Sequence, residues 1–287
     1  MTTPLMRYQQ LDPSQVGPYL SDPDWHLQQK VDGIRARLVV KDGDAQVVAG
    51  NGGPSKSTTA APVVTAIHHL GHLLRDAGAE LEIEGEIIGD QWWLFDLTRY
   101  RSPDGRLHVD HGTPWEHRSA HLAVLAADPG TPAWVRLVPV AVTETMKTEV
   151  WDMILEAGVE GAVLKHRRGT VMDGKRVSHV LKAKVTHTID CVVLERGPGT
   201  GRNGTGNWLK LGLYRKDGTL YEVGRCSTIG KPPAEPGDVV EVRYLYAGAG
   251  GRLTQPTHLR TRDREEKVNV QCTTDQLHFV SKAVLTG

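Results

Sequence analysis

The chain has 287 residues, 39% hydrophobic and 24% charged, with 34 basic and 34 acidic side chains and a formal net charge of zero. That is the make-up of a soluble globular chain, long enough for one large domain or two ordinary ones and able to bury a core without staples. It excludes strong indiscriminate polyanion binding, which needs a basic excess. The absence of any run of ~18 apolar residues excludes a membrane span. Three widely spaced cysteines, Cys191, Cys226 and Cys272, argue against a disulfide framework and for ordinary thiols in a reducing compartment. Met1-Thr2-Thr3-Pro4-Leu5 lacks a basic and then apolar start, so no secretory leader is expected.

In chain order, the first informative stretch is Lys30-Val31-Asp32-Gly33-Ile34-Arg35. Read alone it is either a turn entering a strand or a site that joins an amine, a carboxylate and a guanidinium. A lysine amine becomes a nucleophile once its pKa is lowered, and an arginine fork suits phosphate or sugar oxygens. Residues 34–40 and 45–49 read as a hairpin around Lys41-Asp42-Gly43-Asp44. Residues 61–75 carry Val63, Val64, Ile67, Leu70 and Leu74 at helical spacing behind Pro62. Strands follow at 81–88 and 92–97, helical patterns near 116–127 and 145–157, and further strands at 135–142, 161–166 and 178–184. Beyond residue 186 the texture changes to short β-rich runs at 188–195, 208–215, 219–226 and 238–246, as in a small β-barrel. A domain boundary is therefore placed near Val185–His187, and the glycine-rich residues 197–206 read as a surface hairpin loop rather than a phosphate cradle.

Within these elements, Glu82, Glu84 and Glu86 alternate on one strand face. Glu82 and Glu84 read as a solvated outer face, and Glu86, after Gly85, as the site candidate. In Trp92-Trp93-Leu94-Phe95-Asp96-Leu97, Trp93 and Phe95 share one face and Trp92, Leu94 and Asp96 the other. A ring beside a carboxylate suits stacking a purine while holding a metal or hydroxyl. Glu160-Gly161 opens an apolar strand ending in Lys165, and Lys182 and Lys184 share a strand face, an arrangement that suits a shared anion. His68, His69 and His72 lack the glutamate of a zinc-helix motif and a third ligand, and read as solvated helix histidines.

Taken in order, Lys30-Asp32-Gly33-Arg35, Glu86, Phe95-Asp96, Glu160-Gly161 and Lys182/Lys184 resemble the motif series of the covalent nucleotidyltransferases, and most of all the ATP-dependent DNA ligases. Thr188–Val193 and Trp208–Tyr214 are similar to early strands of the ligase oligonucleotide-binding (OB) domain, and Leu259-Arg260-Thr261-Arg262-Asp263 to the basic closing motif. The resemblance implies an α+β fold. Residues 1–186 would form an adenylation (nucleotidyltransferase) domain of antiparallel sheets flanked by helices, and residues 187–287 an OB-fold β-barrel. It implies nick sealing through a lysyl-AMP on Lys30, AMP transfer to the 5′-phosphate and attack by the 3′-hydroxyl, each an in-line displacement at phosphorus. It assigns ribose contacts to Arg35 and Glu86, adenine stacking to Phe95 and phosphate contacts to Lys182 and Lys184. Pyrophosphate orientation falls to Arg260 and Arg262, and Mg2+ or Mn2+ binding to Glu160 and Asp32.

The expected substrates are ATP and nicked double-stranded DNA, handled by a monomer in the cytoplasm of a bacterial or phage-infected cell. With 29 residues ahead of Lys30, the expectation is the minimal two-domain form. One departure stands out. Ligases commonly carry Ser-Arg-Asn-Gly after the first hairpin, where this chain has Ala49-Gly50-Asn51-Gly52, so the phosphate-gripping arginine is missing at Gly50 and Lys56 or Arg37 would have to replace it. The alternatives are an RNA ligase or GTP-using capping-type enzyme, and a non-catalytic OB protein that binds single strands.

Overall fold

The computed structural model describes residues 3–41, 44–54, 79–198, 207–231, 233–263 and 265–279. The helix read at 61–75, with its three histidines, lies outside the described residues, as do Lys56, the Asp42-Gly43 turn and most of the glycine-rich loop. The chain divides into two compact units that part at Lys184 and Val185, the second unit also taking residues 155–160.

The first unit holds two sheets. One has the order β1 (Arg7–Leu11), β10 (Arg176–Lys184), β9 (Gly161–His166) and β2 (Trp25–Gln29), with β1 parallel to β10 and the other pairs antiparallel. The other has the order β4 (Asp44–Ala49), β3 (Ile34–Lys41), β5 (Glu80–Ile88), β6 (Gln91–Arg101) and β7 (Leu107–Val109), with β8 (Val135–Leu137) added parallel to β6. Leu38, Leu81, Ile83, Trp92, Leu94 and Leu97 form the core of that sheet, packed against Leu122 of the helix Trp115–Ala126. That helix is α2; α1 is the single turn Gly17–Ser21, and α3 is Glu144–Ala157.

The 135–142 strand is shorter than its composition suggests. Pairing with β6 stops at Leu137, two residues before Pro139, which has no N–H to give a ladder, and Ala141 beyond it bridges Leu27 of β2 instead.

Two bulges decide which side chains face the site. Register along β5–β6 pairs Glu84 with Asp96 and Gly85 with Leu94, skipping Phe95, and pairs Glu82 with Arg99 and Ile83 with Leu97, skipping Thr98. Opposed residues of an antiparallel pair share a face. Asp96 therefore leaves the Trp92–Leu94 face on which simple alternation puts it and joins Glu84. Glu84 is itself only 2% exposed, so the solvated face expected for Glu82 and Glu84 is instead an interior polar layer. Alternation has to yield there because Arg35 and Arg37, opposite on β3, supply the countercharge.

The second unit is one antiparallel sheet of order β13 (Leu220–Ser227), β12 (Asn207–Tyr214), β11 (His187–Pro198), β14 (Val239–Tyr244) and β15 (Thr257–Thr261). Among the described residues its edge strands β13 and β15 are not paired with each other. Its core gathers Val192, Leu209, Leu211, Leu213, Val223 and Val240 with all three cysteines. The whole is α+β: mixed, mostly antiparallel sheets with few helices.

Candidate active site

Lys30 follows the last residue of β2, and its main-chain N–H donates to the Gly161 carbonyl at 2.7 Å. Two glycines make this approach possible. A Cβ on Gly33 would lie 2.5 Å from the Ile87 carbonyl oxygen, so only glycine lets the Lys30 loop close on β5. Gly161 has φ of +137°, and a Cβ there would meet the Ala183 carbonyl oxygen at 2.0 Å. The sequence motifs thus mark places where backbones touch.

The loop borders a cavity with about 800 Å³ of space, the open solvent at its mouth included. Lys30, Arg35, Glu86, Phe95 and Lys182, five of the residues singled out from sequence, line it together. Among the described residues six cations line the cavity, Arg7, Lys30, Arg35, Lys165, Arg176 and Lys182, against one carboxylate, Glu86. That balance favours an anionic ligand. The lysines of β10 alternate as expected with the buried Leu181 and Ala183, but of the two only Lys182 lines the cavity. Asp32 and Glu160 are not among its lining residues; Glu160 is buried directly ahead of Gly161. Arg260 and Arg262 belong to the second unit. There Arg260 donates to Glu241 (2.9 Å) and Glu266 (3.1 Å), and Arg262 to Asp190 (2.9 Å).

Behind the lining lies a charged layer. Arg35 donates twice to Glu84, at 3.0 and 2.5 Å, and once to the Met6 carbonyl at 2.8 Å. Arg37 bonds the other Glu84 oxygen and both oxygens of Asp173, and is 5% exposed. It is consumed inside the protein and does not replace the arginine missing at position 50. Asp96 is consumed likewise: Arg118 donates to it at 3.0 and 3.2 Å, and Lys165 stands 3.5 Å away. Burial works against its charge, but the Arg118 and Lys165 cations outweigh it and hold the carboxyl below its ordinary range. Asp96 therefore orders the site from behind instead of holding a metal.

Several lining residues were not site candidates from sequence, Lys165, Tyr8 and Gln28 among them. Lys165 donates to the Phe95 carbonyl at 2.7 Å, with its ammonium 5.1 Å from the Phe95 ring centroid. Tyr8 lies under Arg35, whose guanidinium carbon is 4.7 Å from the ring centroid, and its buried hydroxyl has no partner among the described residues. Gln28 is 2% exposed; its amide nitrogen donates to the Val138 carbonyl at 3.2 Å, leaving Oε1 buried without a donor among the described residues. The available signal for Gln28 was its place two residues before Lys30, the same-face offset of a strand. Among the described residues no group of three His, Cys, Asp or Glu side chains forms a metal cage.

No family model matches the chain. Over 73 residues, 25% of this chain and 14% of the relative, it is 44% identical to a protein of Streptomyces griseus described as a probable DNA ligase. Over 225 residues, 70% of this chain and 62% of the relative, it is 29% identical to DNA ligase C of Mycobacterium tuberculosis. The matches thus span less than two thirds of either relative. Among solved structures, the ligase domain of M. tuberculosis LigD superimposes with a TM-score of 0.51 at 19% identity, covering 96% of this chain and 97% of that one. A Lig E DNA ligase gives 0.59 at 16% identity, covering 91% and 100%. These likenesses establish the fold. In fold and in sequence, the chain resembles the ATP-dependent DNA ligases in compact two-unit form.

Proposed function

We propose that this chain is an ATP-dependent DNA ligase that seals nicks in duplex DNA, with residues 1–186 as its adenylation domain and residues 187–287 as an OB-fold domain. The observation that carries the reading is the convergence of Lys30, Arg35, Glu86, Phe95 and Lys182, from four separate stretches of sequence, on one cation-rich cavity.

Lys30 is the nucleophile: its amine attacks the α-phosphorus of ATP, pyrophosphate leaves, and AMP remains on Nζ through a P–N bond. The AMP then passes to the 5′-phosphate at a nick, and the 3′-hydroxyl displaces it as the phosphodiester forms. Phe95 stacks on the purine, Arg35 and Glu86 hold the ribose, and Lys182 and Lys184 neutralise the reacting phosphate. Gln28 reads the base. Its nitrogen is fixed on Val138, so its free Oε1 calls for a hydrogen-bond donor. The 6-amino group of adenine is a donor, whereas guanine presents an acceptor there. This preference separates the reading from a GTP-using capping enzyme, and the nucleophile separates it from a binding module.

Mg2+ or Mn2+ is the proposed metal, since such ions take one or two carboxylates and complete their shell with phosphate and water; among the described residues the carboxylate that lines the cavity is Glu86, and Glu160 and Asp32 stand outside the lining. Glu160 and Asp32 are the proposed ligands, and the metal would supply charge neutralisation at phosphorus. Arg260 and Arg262 are proposed to orient the pyrophosphate. Nicked duplex DNA is the proposed partner, met by a monomer in the cytoplasm. Among the described residues no helix is long and apolar enough to cross a membrane.

Incubation with α-labelled ATP and Mg2+ is expected to leave acid-labile label on the chain, with none from GTP and none in Lys30→Ala. Label that survives Lys30→Ala, or that comes equally from GTP, would refute the assignment. Sealing of nicked DNA in preference to nicked RNA completes the test.

A further inference from the structure

Three histidines that take no part in lining the nucleotide cavity gather where β7 meets α2. His108 is the central residue of β7, and His117 and His121 stand four apart on α2, which puts them on one face of the helix. The His108 and His121 ring centroids are 5.7 Å apart with their planes at 56°. Tyr100, near the end of β6, backs both rings, stacked on His108 at 5.1 Å and tilted at 6.5 Å from His121.

The nitrogens of this cluster are arranged to present lone pairs. The His108 Nε2 lies 2.8 Å from the Ser102 hydroxyl. That hydroxyl gives its one proton to the Asp104 carboxylate, with the Arg106 carbonyl at 3.2 Å as the other acceptor in reach. Toward His108 it can therefore only accept, which fixes the ring proton on Nε2 and leaves a lone pair on Nδ1. An imidazole whose far N–H is held by an acceptor is the form in which histidine binds metals. Burial first, and then the charges of His108 and His117, push His121 below its ordinary value, so at pH 7 it too is neutral and carries a lone pair. The His117 side chain is 66% exposed and 3.9 Å from Glu116, beyond hydrogen-bond reach, so its ring can turn toward His121.

Two imidazoles that share a tetrahedral ion have ring centres about 5 Å apart, given a metal–nitrogen distance of about 2.1 Å. The 5.7 Å between His108 and His121 closes to that by a small rotation of one ring. As they stand the three rings do not form a cage. His117 completes one by turning, because two histidines four apart on a helix can hold one ion between them. Nitrogen donors without a thiolate suit Zn2+, Ni2+ and Cu2+, whereas Mg2+ takes oxygens. We propose that His108, His117 and His121 form a binding site for a divalent transition ion, Zn2+ in the first place, that clips β7 to α2. The same helix carries Arg118, which holds Asp96 behind the nucleotide cavity, so the clip steadies an element that orders that cavity. The site does not depend on the ligase reading.

The test titrates chelator-stripped protein with Zn2+ alone, by calorimetry and by tryptophan-reported urea unfolding. Wild type is expected to take up Zn2+ at micromolar concentration and to unfold at a higher urea midpoint, and Mg2+ at the same concentration to do neither. His117→Gln is an exposed change that should leave metal-free stability as it is and weaken Zn2+ binding by about tenfold or more. His108→Gln/His121→Gln should abolish the midpoint shift. Ser102→Ala keeps all three rings and removes the acceptor behind His108; it should cost about tenfold in Zn2+ affinity. His68→Gln/His72→Gln, at the other pair of histidines four apart in the sequence, should bind as wild type.

Zn2+ affinity and midpoint shift that persist in both His117→Gln and His108→Gln/His121→Gln would overturn the proposal. So would their loss in His68→Gln/His72→Gln, which would place the ion at that pair. A wild-type protein that takes up no Zn2+ would overturn it outright, and would leave the ligase reading, which is tested by label on Lys30, untouched.

Discussion

Lys165 puts an ammonium where water hardly reaches: the residue is 1% exposed. The Phe95 carbonyl accepts its proton at 2.7 Å, Asp96 lies at 3.5 Å and the Trp115 ring centroid at 3.7 Å. Burial pushes this amine down to about 8, with Asp96 opposing the shift. The sign of the pH effect follows. Between that value and the ordinary ~10.4 the unfolded chain keeps the proton and the folded chain gives it up, so this group's contribution to stability rises with pH across the window, by roughly 3 kcal/mol in full. In urea unfolding, wild type should gain stability relative to Lys165→Met as pH is raised from about 7 to about 10. A difference that is flat or falls with pH would refute the buried-cation assignment.

The same residue shows how far side-chain chemistry was legible. Lys30, Arg35, Glu86, Phe95 and Lys182 were readable because each carries a local mark, a glycine, an aromatic or an alternation, that survives without the fold. Asp96 and Lys165 were not, because their pairing depends on the bulge that skips Phe95, and a bulge has no fixed signature in the strand's own residues.

At the scale of elements, α3 acts as a clamp. Lys147 is 1% exposed and donates to three carbonyls, those of Tyr19 at 3.0 Å, Asp22 at 2.7 Å and Trp25 at 3.0 Å. These acceptors lie on the segment that runs from α1 into β2, and β2 delivers Lys30. Lys147→Met keeps the stem and takes the donor from three half-buried carbonyls, of which Asp22 retains the Trp25 N–H at 3.2 Å, at a cost of roughly 2 kcal/mol. A lowered urea midpoint and slower labelling of Lys30 by ATP are the expected outcomes. A variant that matches wild type in both would show that the clamp does not position β2.

The helices were legible within a residue, 116–127 against Trp115–Ala126 and 145–157 against Glu144–Ala157, because one-sided burial imposes a 3.6-residue period on them. β1 and β2 escaped detection. Arg7-Tyr8-Gln9-Gln10-Leu11 and Trp25-His26-Leu27-Gln28-Gln29 read as polar, and Gln28 and Gln29 are nevertheless buried. Strands that line a polar ligand cavity lose the alternation by which strands are recognised.

For the whole molecule, the two units carry separate natural reporters. Six of the seven tryptophans, at 25, 92, 93, 115, 134 and 151, fall in the first unit, and all three cysteines fall in the second. Cys191, Cys226 and Cys272 are buried together in one core, and burial pushes the Cys226 and Cys272 thiols up to about 11. A thiolate reagent should therefore leave the native chain almost unlabelled and react only as that core opens. The cavity residues lie wholly in the first unit. AMP, which lacks the pyrophosphate assigned to Arg260 and Arg262 and cannot label Lys30, should then stabilise the tryptophan-reported core by about 2.7 kcal/mol at a hundredfold excess over its Kd. The thiol-reported transition should move far less, so the two probes should cease to coincide. Equal shifts in both transitions would mean that the nucleotide is held by both units together, and the assignment of its site to the first unit alone would fall.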